Sequence, residues 1–172
     1  MKKYKSWLLI IGAAICLVII ICFLTFWKER SKLPQGDLVM PENLEPGVVT
    51  YVIDGDTVVV QLTNDESEDE LRVRLIGIDA PESANEDEEK NTEEGIAATE
   101  YTRSILLNKD VFLEYDKELI DKYGRTLAYI WVDGNLFNSM ILEAGHANLL
   151  NIPPNEKYKE YLASTAGKML KS

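Results

Sequence analysis

The sequence predicts a mainly β fold with capping helices, an α+β arrangement built on a five-stranded Greek-key barrel of the OB type and preceded by one transmembrane helix. Three observations carry that expectation. Residues Trp7 to Trp27 contain no charged side chain. From Val48 onward, short runs rich in β-branched and aromatic residues recur between Gly and Asp turn signals. Between those runs stand apolar positions with the spacing of a helix.

Taken in order, Met1 to Ser6 form a short basic segment, and Trp7–Trp27 follow as the spanning helix. A run of that length, at about 1.5 Å per residue, reaches roughly the 30 Å hydrocarbon thickness of a bilayer. Trp7 and Trp27 suit the two membrane interfaces, with Lys5 before the run and Lys28 after it. A cleaved signal peptide is the alternative, leaving a secreted product, but the apolar run is long and no A-x-A-like site follows it. The lysines on the two sides are nearly balanced, and the expected orientation places the N-terminus inside and the remaining chain outside. Residues 28 to 47, with Pro34, Pro41, Pro46, Gly36 and Gly47, have no helical or strand period and read as a linker.

The soluble domain is expected from Val48 to Ser172. Val48–Val52 and Thr57–Leu62 read as strands flanking the acidic turn Asp54-Gly55-Asp56. Leu71–Ile78 alternates so that Arg72 and Arg74 share a face. A helix is expected from about Glu93 to Leu107, strands at Val111–Tyr115 and Thr126–Val132, and further helices at about Asn138–Gly145 and Asn155–Met169. No internal repeat is present.

The formal net charge of -11 excludes a protein that holds nucleic acid by a generally basic surface. Its placement is uneven: between Gln61 and Glu100 the acidic residues far outnumber Arg72, Arg74 and Lys90, and elsewhere acids and bases balance. Both cysteines, Cys16 and Cys22, lie in the apolar run, so the soluble part can hold neither a disulfide nor a cysteine zinc site. The lone histidine, His146, is expected to be a partly buried or surface residue.

Three clusters carry acids and bases that the fold does not obviously require. They are Ile53-Asp54-Gly55-Asp56-Thr57, Arg74-Leu75-Ile76-Gly77-Ile78-Asp79-Ala80-Pro81-Glu82, and Asp121-Lys122-Tyr123-Gly124-Arg125. Each alone has a plain reading, as a β-bulge with solvated aspartates, a polar strand end, and a turn. Together they suit phosphodiester hydrolysis. Hard cations such as calcium take carboxylate and carbonyl oxygens, guanidinium forks match phosphate oxygens, and a carboxylate can orient or deprotonate a water.

The motifs IDGDT, RLIGIDAPE and DKYGRTLAYI stand in the order and approximate spacing of the staphylococcal (micrococcal) nuclease, or thermonuclease, family, which the chain resembles from about Val48 to its C-terminal helix. The resemblance implies an OB-type barrel and a calcium-dependent endonuclease acting on DNA and RNA to leave 3'-phosphate ends. It implies calcium ligation by Asp56 and Asp79, with the backbone carbonyl of Ala80, and support of that loop by Asp54 and Thr57. Arg74 and Arg125 would grip the scissile phosphate, Glu82 would act on the water, and Lys122 and Tyr123 would contact the nucleotide. It implies no obligate protein partner. After Gly145 the chain reads His146-Ala147-Asn148-Leu149-Leu150-Asn151-Ile152 and lacks the tyrosines that secreted members place there. Weaker base affinity is expected, and the run Glu86-Asp87-Glu88-Glu89 just beyond Glu82 is expected to repel a polyanion at low salt. The alternative function is a weak or inactive module of the same fold that binds nucleic acid or protein.

Overall fold

A computed structural model describes residues 38–63, 70–83 and 91–169. The apolar segment 7–27, the first half of the linker (residues 28–37) and the acidic run 86–89 lie outside the described residues. Among the described residues, no helix is long and apolar enough to cross a membrane.

Strands β1 (Glu45–Val52), β2 (Thr57–Leu62), β3 (Glu70–Leu75), β5 (Asp110–Glu114) and β6 (Thr126–Val132) make the barrel. The sheet runs β3-β2-β1-β5-β6, and β3 also pairs with β6, which closes it. That closing pair is parallel, Val73 to Leu75 lying beside Thr126 to Ala128, while the other barrel pairs are antiparallel. Closure leaves no long unpaired barrel edge. The short β7 (Asn135–Leu136) extends β6, and β4 (Ile78–Asp79) pairs with β8 (Asn148–Leu149) as a separate ribbon. Among the described residues the helices are α1 (Glu93–Leu106), α2 (Phe137–Glu143) and α3 (Lys159–Met169).

Alternation sends Val49, Val58, Val60, Val73, Val111, Leu113, Ala128 and Ile130 to the interior, where Trp131, Phe137, Ile141 and Leu142 join them. Each such side chain contributes roughly 1.5–3 kcal/mol of transfer free energy, offset by the conformational entropy lost on ordering the chain.

The expected elements are present, with shifted ends. β1 begins at Glu45 rather than Val48, because residues 45 to 48 also pair with β5. The expected strand to Ile78 stops at Leu75, since Gly77 turns the chain at φ +83° and Ile78 starts β4. A Cβ at Gly77 would also stand 2.6 Å from Leu162 of α3. α3 starts at Lys159 rather than Asn155, because Asn155 and Lys157 bond to the loop after β5 instead. Asn155 Oδ1 accepts from Glu118 N–H at 2.8 Å, its Nδ2 donates to Glu118 O at 2.8 Å, and Lys157 N–H donates to Asp116 Oδ2 at 3.0 Å.

Candidate active site

The turn joining β1 to β2 is fixed by two backbone bonds, Ile53 and Asp54 N–H both donating to Thr57 O at 3.0 and 3.2 Å. Asp54 Oδ1 accepts from Asp56 N–H at 3.0 Å, the local side-chain bond expected of an aspartate in a tight turn. These bonds aim Asp56 inward. Only 5% of the residue is exposed, its Oδ1 accepts from Thr57 Oγ1 at 3.0 Å, and its Oδ2 accepts from Ala80 N–H at 2.7 Å.

Arg74 lies opposite Thr57 in the β2–β3 ladder. That register brings its guanidinium to Asp56 Oδ2 at 2.6 Å, to Asp79 Oδ1 at 2.7 Å and to Ile78 O at 3.0 Å. One guanidinium thus draws together a carboxylate from the β1–β2 turn and one from β4. Burial pushes the Asp56 carboxyl well above the usual carboxylate range, and outweighs the pull of Arg74; the nearby charge of Asp54 pushes the same way. Two carboxylates drawn together in this way offer the hard oxygens that could hold a divalent cation of the calcium type. Among the described residues, no group of three or more His, Cys, Asp or Glu is gathered closely enough to hold a metal by itself. Water and the Ala80 carbonyl would have to complete such a shell.

Arg125 comes from the loop between β5 and β6. Asp121 Oδ1 accepts from the N–H groups of Tyr123 and Arg125 at 2.9 Å each, while Oδ2 accepts from Arg125 Nε and Nη2 at 2.7 Å. Desolvation raises the Asp121 pKa, but the Arg125 and Tyr123 hydrogen bonds together hold it below the usual range. The carboxylate therefore stays charged and the guanidinium stays held in a planar fork. Tyr123, 72% exposed, carries Lys122 Nζ at 4.9 Å and the Arg125 guanidinium at 5.4 Å from its ring centre.

A cleft of about 430 Å³ is lined by Asp54, Asp56, Arg72, Arg74, Asp79, Ala80, Glu82, Tyr123 and Arg125. Of the residues expected from sequence, the structure therefore brings eight to one cleft wall. Thr57 sits beneath them, fully buried, and Lys122 faces an adjoining cavity shared with Arg74, Tyr123 and Arg125. Leu150 and Ile152 line that second cavity where secreted relatives were expected to carry tyrosines. His146 is half-buried, its ring 4.9 Å from that of Tyr101, and lines neither cavity.

Sequence reasoning passed over two contributors. Asp121 was read only as part of a turn, although an Asp four residues before an Arg across a glycine turn can grip it. Arg72 was placed on the same face as Arg74 but given no role, and it lines the cleft.

The chain matches the family model described as Staphylococcal nuclease homologue over residues 72–168. It is 38% identical over 162 residues to the thermonuclease of Staphylococcus intermedius, spanning 92% of this chain and 88% of that protein. It is 37% identical over 160 residues to the thermonuclease of Staphylococcus hyicus, spanning 93% and 89% respectively. An uncharacterized endonuclease of Escherichia coli O157:H7 is 34% identical over 102 residues, 59% of this chain and 58% of its own. With matches spanning nearly the whole of two thermonucleases and a barrel that gathers carboxylates and arginines in one cleft, this chain belongs to the staphylococcal nuclease family and is a phosphodiesterase of the endonuclease type.

Proposed function

We propose that this protein is a calcium-dependent endonuclease that hydrolyses the phosphodiester bonds of DNA and RNA to leave 3'-phosphate ends, tethered to a membrane through residues 7–27 with the nuclease domain outside. The observation that carries the reading is the convergence of Asp56, Asp79, Arg74, Arg125 and Glu82 on a single cleft.

Asp56 and Asp79, with the Ala80 carbonyl, would hold the calcium ion, and Asp54 and Thr57 bond the turn around Asp56. Bound there, calcium supplies positive charge for the phosphate oxygens. Arg74 and Arg125 bind the non-bridging oxygens of the scissile phosphate. Each guanidinium is already held by carboxylates at 2.6–2.7 Å, so little side-chain freedom is lost when phosphate arrives. As negative charge builds on the phosphorane-like transition state, the two forks gain strength with it. Glu82, exposed on the cleft wall, orients the attacking water and takes its proton at a carboxylate oxygen. The bond to the 5'-oxygen breaks, leaving phosphate on the 3' side. Lys122 and Tyr123 contact the nucleotide beside the phosphate.

The test is incubation of the 172-residue chain with plasmid DNA or an RNA oligonucleotide, with calcium or with chelator. Cleavage with calcium only, with ends that resist 3'-tailing until treated with phosphatase, is expected. Cleavage that ignores chelator, or 5'-phosphate ends, would contradict the reading. Recovery of the chain in the membrane fraction, with its nuclease domain digested by protease added to intact cells, tests the tether.

A further inference from the structure

Glu82 sits on an extended segment, residues 80–83, that belongs to no strand or helix. Its side chain is exposed and lines the cleft, so where its carboxylate can reach is set by where its backbone stands. The segment lies against the first turns of α1, touching that helix at three successive levels.

At the lowest level, Thr92 caps α1. Its Oγ1 accepts from Gly95 N–H at 2.9 Å, and its own N–H donates to the Glu82 carbonyl at 3.1 Å. At the next, Gly95 is buried directly under the Glu82 peptide. A Cβ built there would stand 2.9 Å from the Pro81 oxygen, 2.6 Å from the Glu82 carbonyl carbon, and closer still to the Glu82 carbonyl oxygen. At the third, one turn on, the Thr99 hydroxyl is hydrogen-bonded to the Ser83 hydroxyl.

Glycine within a helix costs about 1 kcal/mol relative to alanine. Gly95 has helical neighbours and no need of a left-handed conformation, so the cost is offset by something outside the helix. The atoms nearest to such a Cβ outside the helix are backbone atoms of Pro81 and Glu82, and backbone cannot rotate away as a flexible side chain would.

We infer that Gly95 is a positioning residue for Glu82: the missing side chain sets how closely the Glu82 peptide seats on α1, and so where its carboxylate stands in the cleft. The inference rests on the reading that Glu82 acts on the water. A methyl group at position 95 displaces the 81–83 segment, while Arg74 on β3 is held by Asp56 and Asp79, and Arg125 in the β5–β6 loop is held by Asp121. A shift of about 1 Å at a reacting group can cost about 10²-fold in rate.

The experiment compares Gly95→Ala, Glu82→Gln and the double variant in the 172-residue chain, with kcat, KM and calcium affinity measured on DNA and folding checked by circular dichroism. At saturating calcium, Gly95→Ala is expected to lower kcat about 10- to 100-fold with KM within about twofold, because the phosphate is held by Arg74 and Arg125. In the Glu82→Gln background the same change is expected to cost less than about threefold, since the group it positions is already disabled. Wild-type kcat in Gly95→Ala beside a slow Glu82→Gln overturns the inference and leaves the role of Glu82 standing. So does full additivity in the double variant, or a rise in KM with kcat unchanged. A full rate in Glu82→Gln instead overturns the role of Glu82, and the inference with it. Should Gly95→Ala fail to fold, Thr99→Val reads the same contact more gently. A several-fold fall in kcat at unchanged KM supports the inference, and wild-type kcat overturns it.

Discussion

Two carboxylates in this molecule are almost equally buried and almost opposite in use. Asp56 is 5% exposed and Glu114 is 4% exposed, and each is paired with a basic side chain. Glu114 accepts from Trp131 Nε1 at 2.6 Å, from the Tyr158 hydroxyl at 2.9 and 3.1 Å, and from Lys157 Nζ. Those donors belong to β6 and to the segment entering α3, so Glu114 ties β5 to both. Among the described residues, no second acid accepts from the Trp131 indole, the Tyr158 hydroxyl or the Lys157 ammonium. Asp56 instead shares Arg74 with Asp79, whose side chain is 55% exposed at the cleft, and has Asp54 close by. A buried acid encircled by donors suits a structural role, whereas one crowded with other acids beside an open cleft suits the cation binding proposed above.

The comparison is broken or sharpened by substitution. The largest effect is expected at Asp56→Ala, which removes one of the two carboxylates proposed to ligate calcium and should lower cleavage about 10³-fold or more while circular dichroism shows a retained fold. Activity near wild type would place Asp56 with Glu114 as a structural acid. Next come Arg74→Lys and Arg125→Lys, each expected to lose about 10²-fold in kcat/KM, because a single ammonium cannot make the two-pronged contact. Normal rates in both would remove the phosphate clamp.

Glu114→Ala should do the reverse of Asp56→Ala. Leaving the Trp131 and Tyr158 donors without an acceptor costs about 3 kcal/mol of stability; the Lys157 partner, half-exposed to solvent, adds little. Its kcat per folded molecule should stay within about twofold of wild type. Denaturant unfolding and cleavage measured on the same preparation separate the two outcomes.

The smallest effect concerns pH. Burial pushes the Tyr129 hydroxyl up to about 12, and pushes those of Tyr115 and Tyr158 higher still, aided by the neighbouring carboxylates Glu45 and Glu114. Since the folded values lie above the unfolded value near 10, the fold keeps protons that the unfolded chain gives up. Stability is therefore full below about pH 10 and declines as pH rises further. Thermal midpoints recorded between pH 9 and 11.5 should fall, and Tyr158→Phe should make the decline shallower. A midpoint independent of pH over that range would mean that these hydroxyls titrate alike in both states.

Much of this was legible in the sequence, because a strand's period of two is local. Arg72 and Arg74 could be put on one face from alternation alone, and the IDGDT and RLIGIDAPE runs marked the acids that meet in the cleft. What the chain could not disclose were meetings set by closure of the barrel. That Arg74 reaches both Asp56 and Asp79 depends on the register of β2 with β3 and on the turn at Gly77. The value of Gly95 depends on α1 lying against residues 81–83, a contact without any signature in either segment. Asn155 looked like the start of a helix; it clamps the Glu118 backbone instead, and only the fold brings those residues together.

The most direct test of the central claim is calcium binding itself, followed by isothermal titration calorimetry on the wild-type chain, Asp56→Ala, Asp79→Ala and Glu114→Gln. One calcium per wild-type chain, with the heat lost in both aspartate variants and kept in Glu114→Gln, is the result this account predicts. Equal calcium affinity in wild type and Asp56→Ala would contradict it.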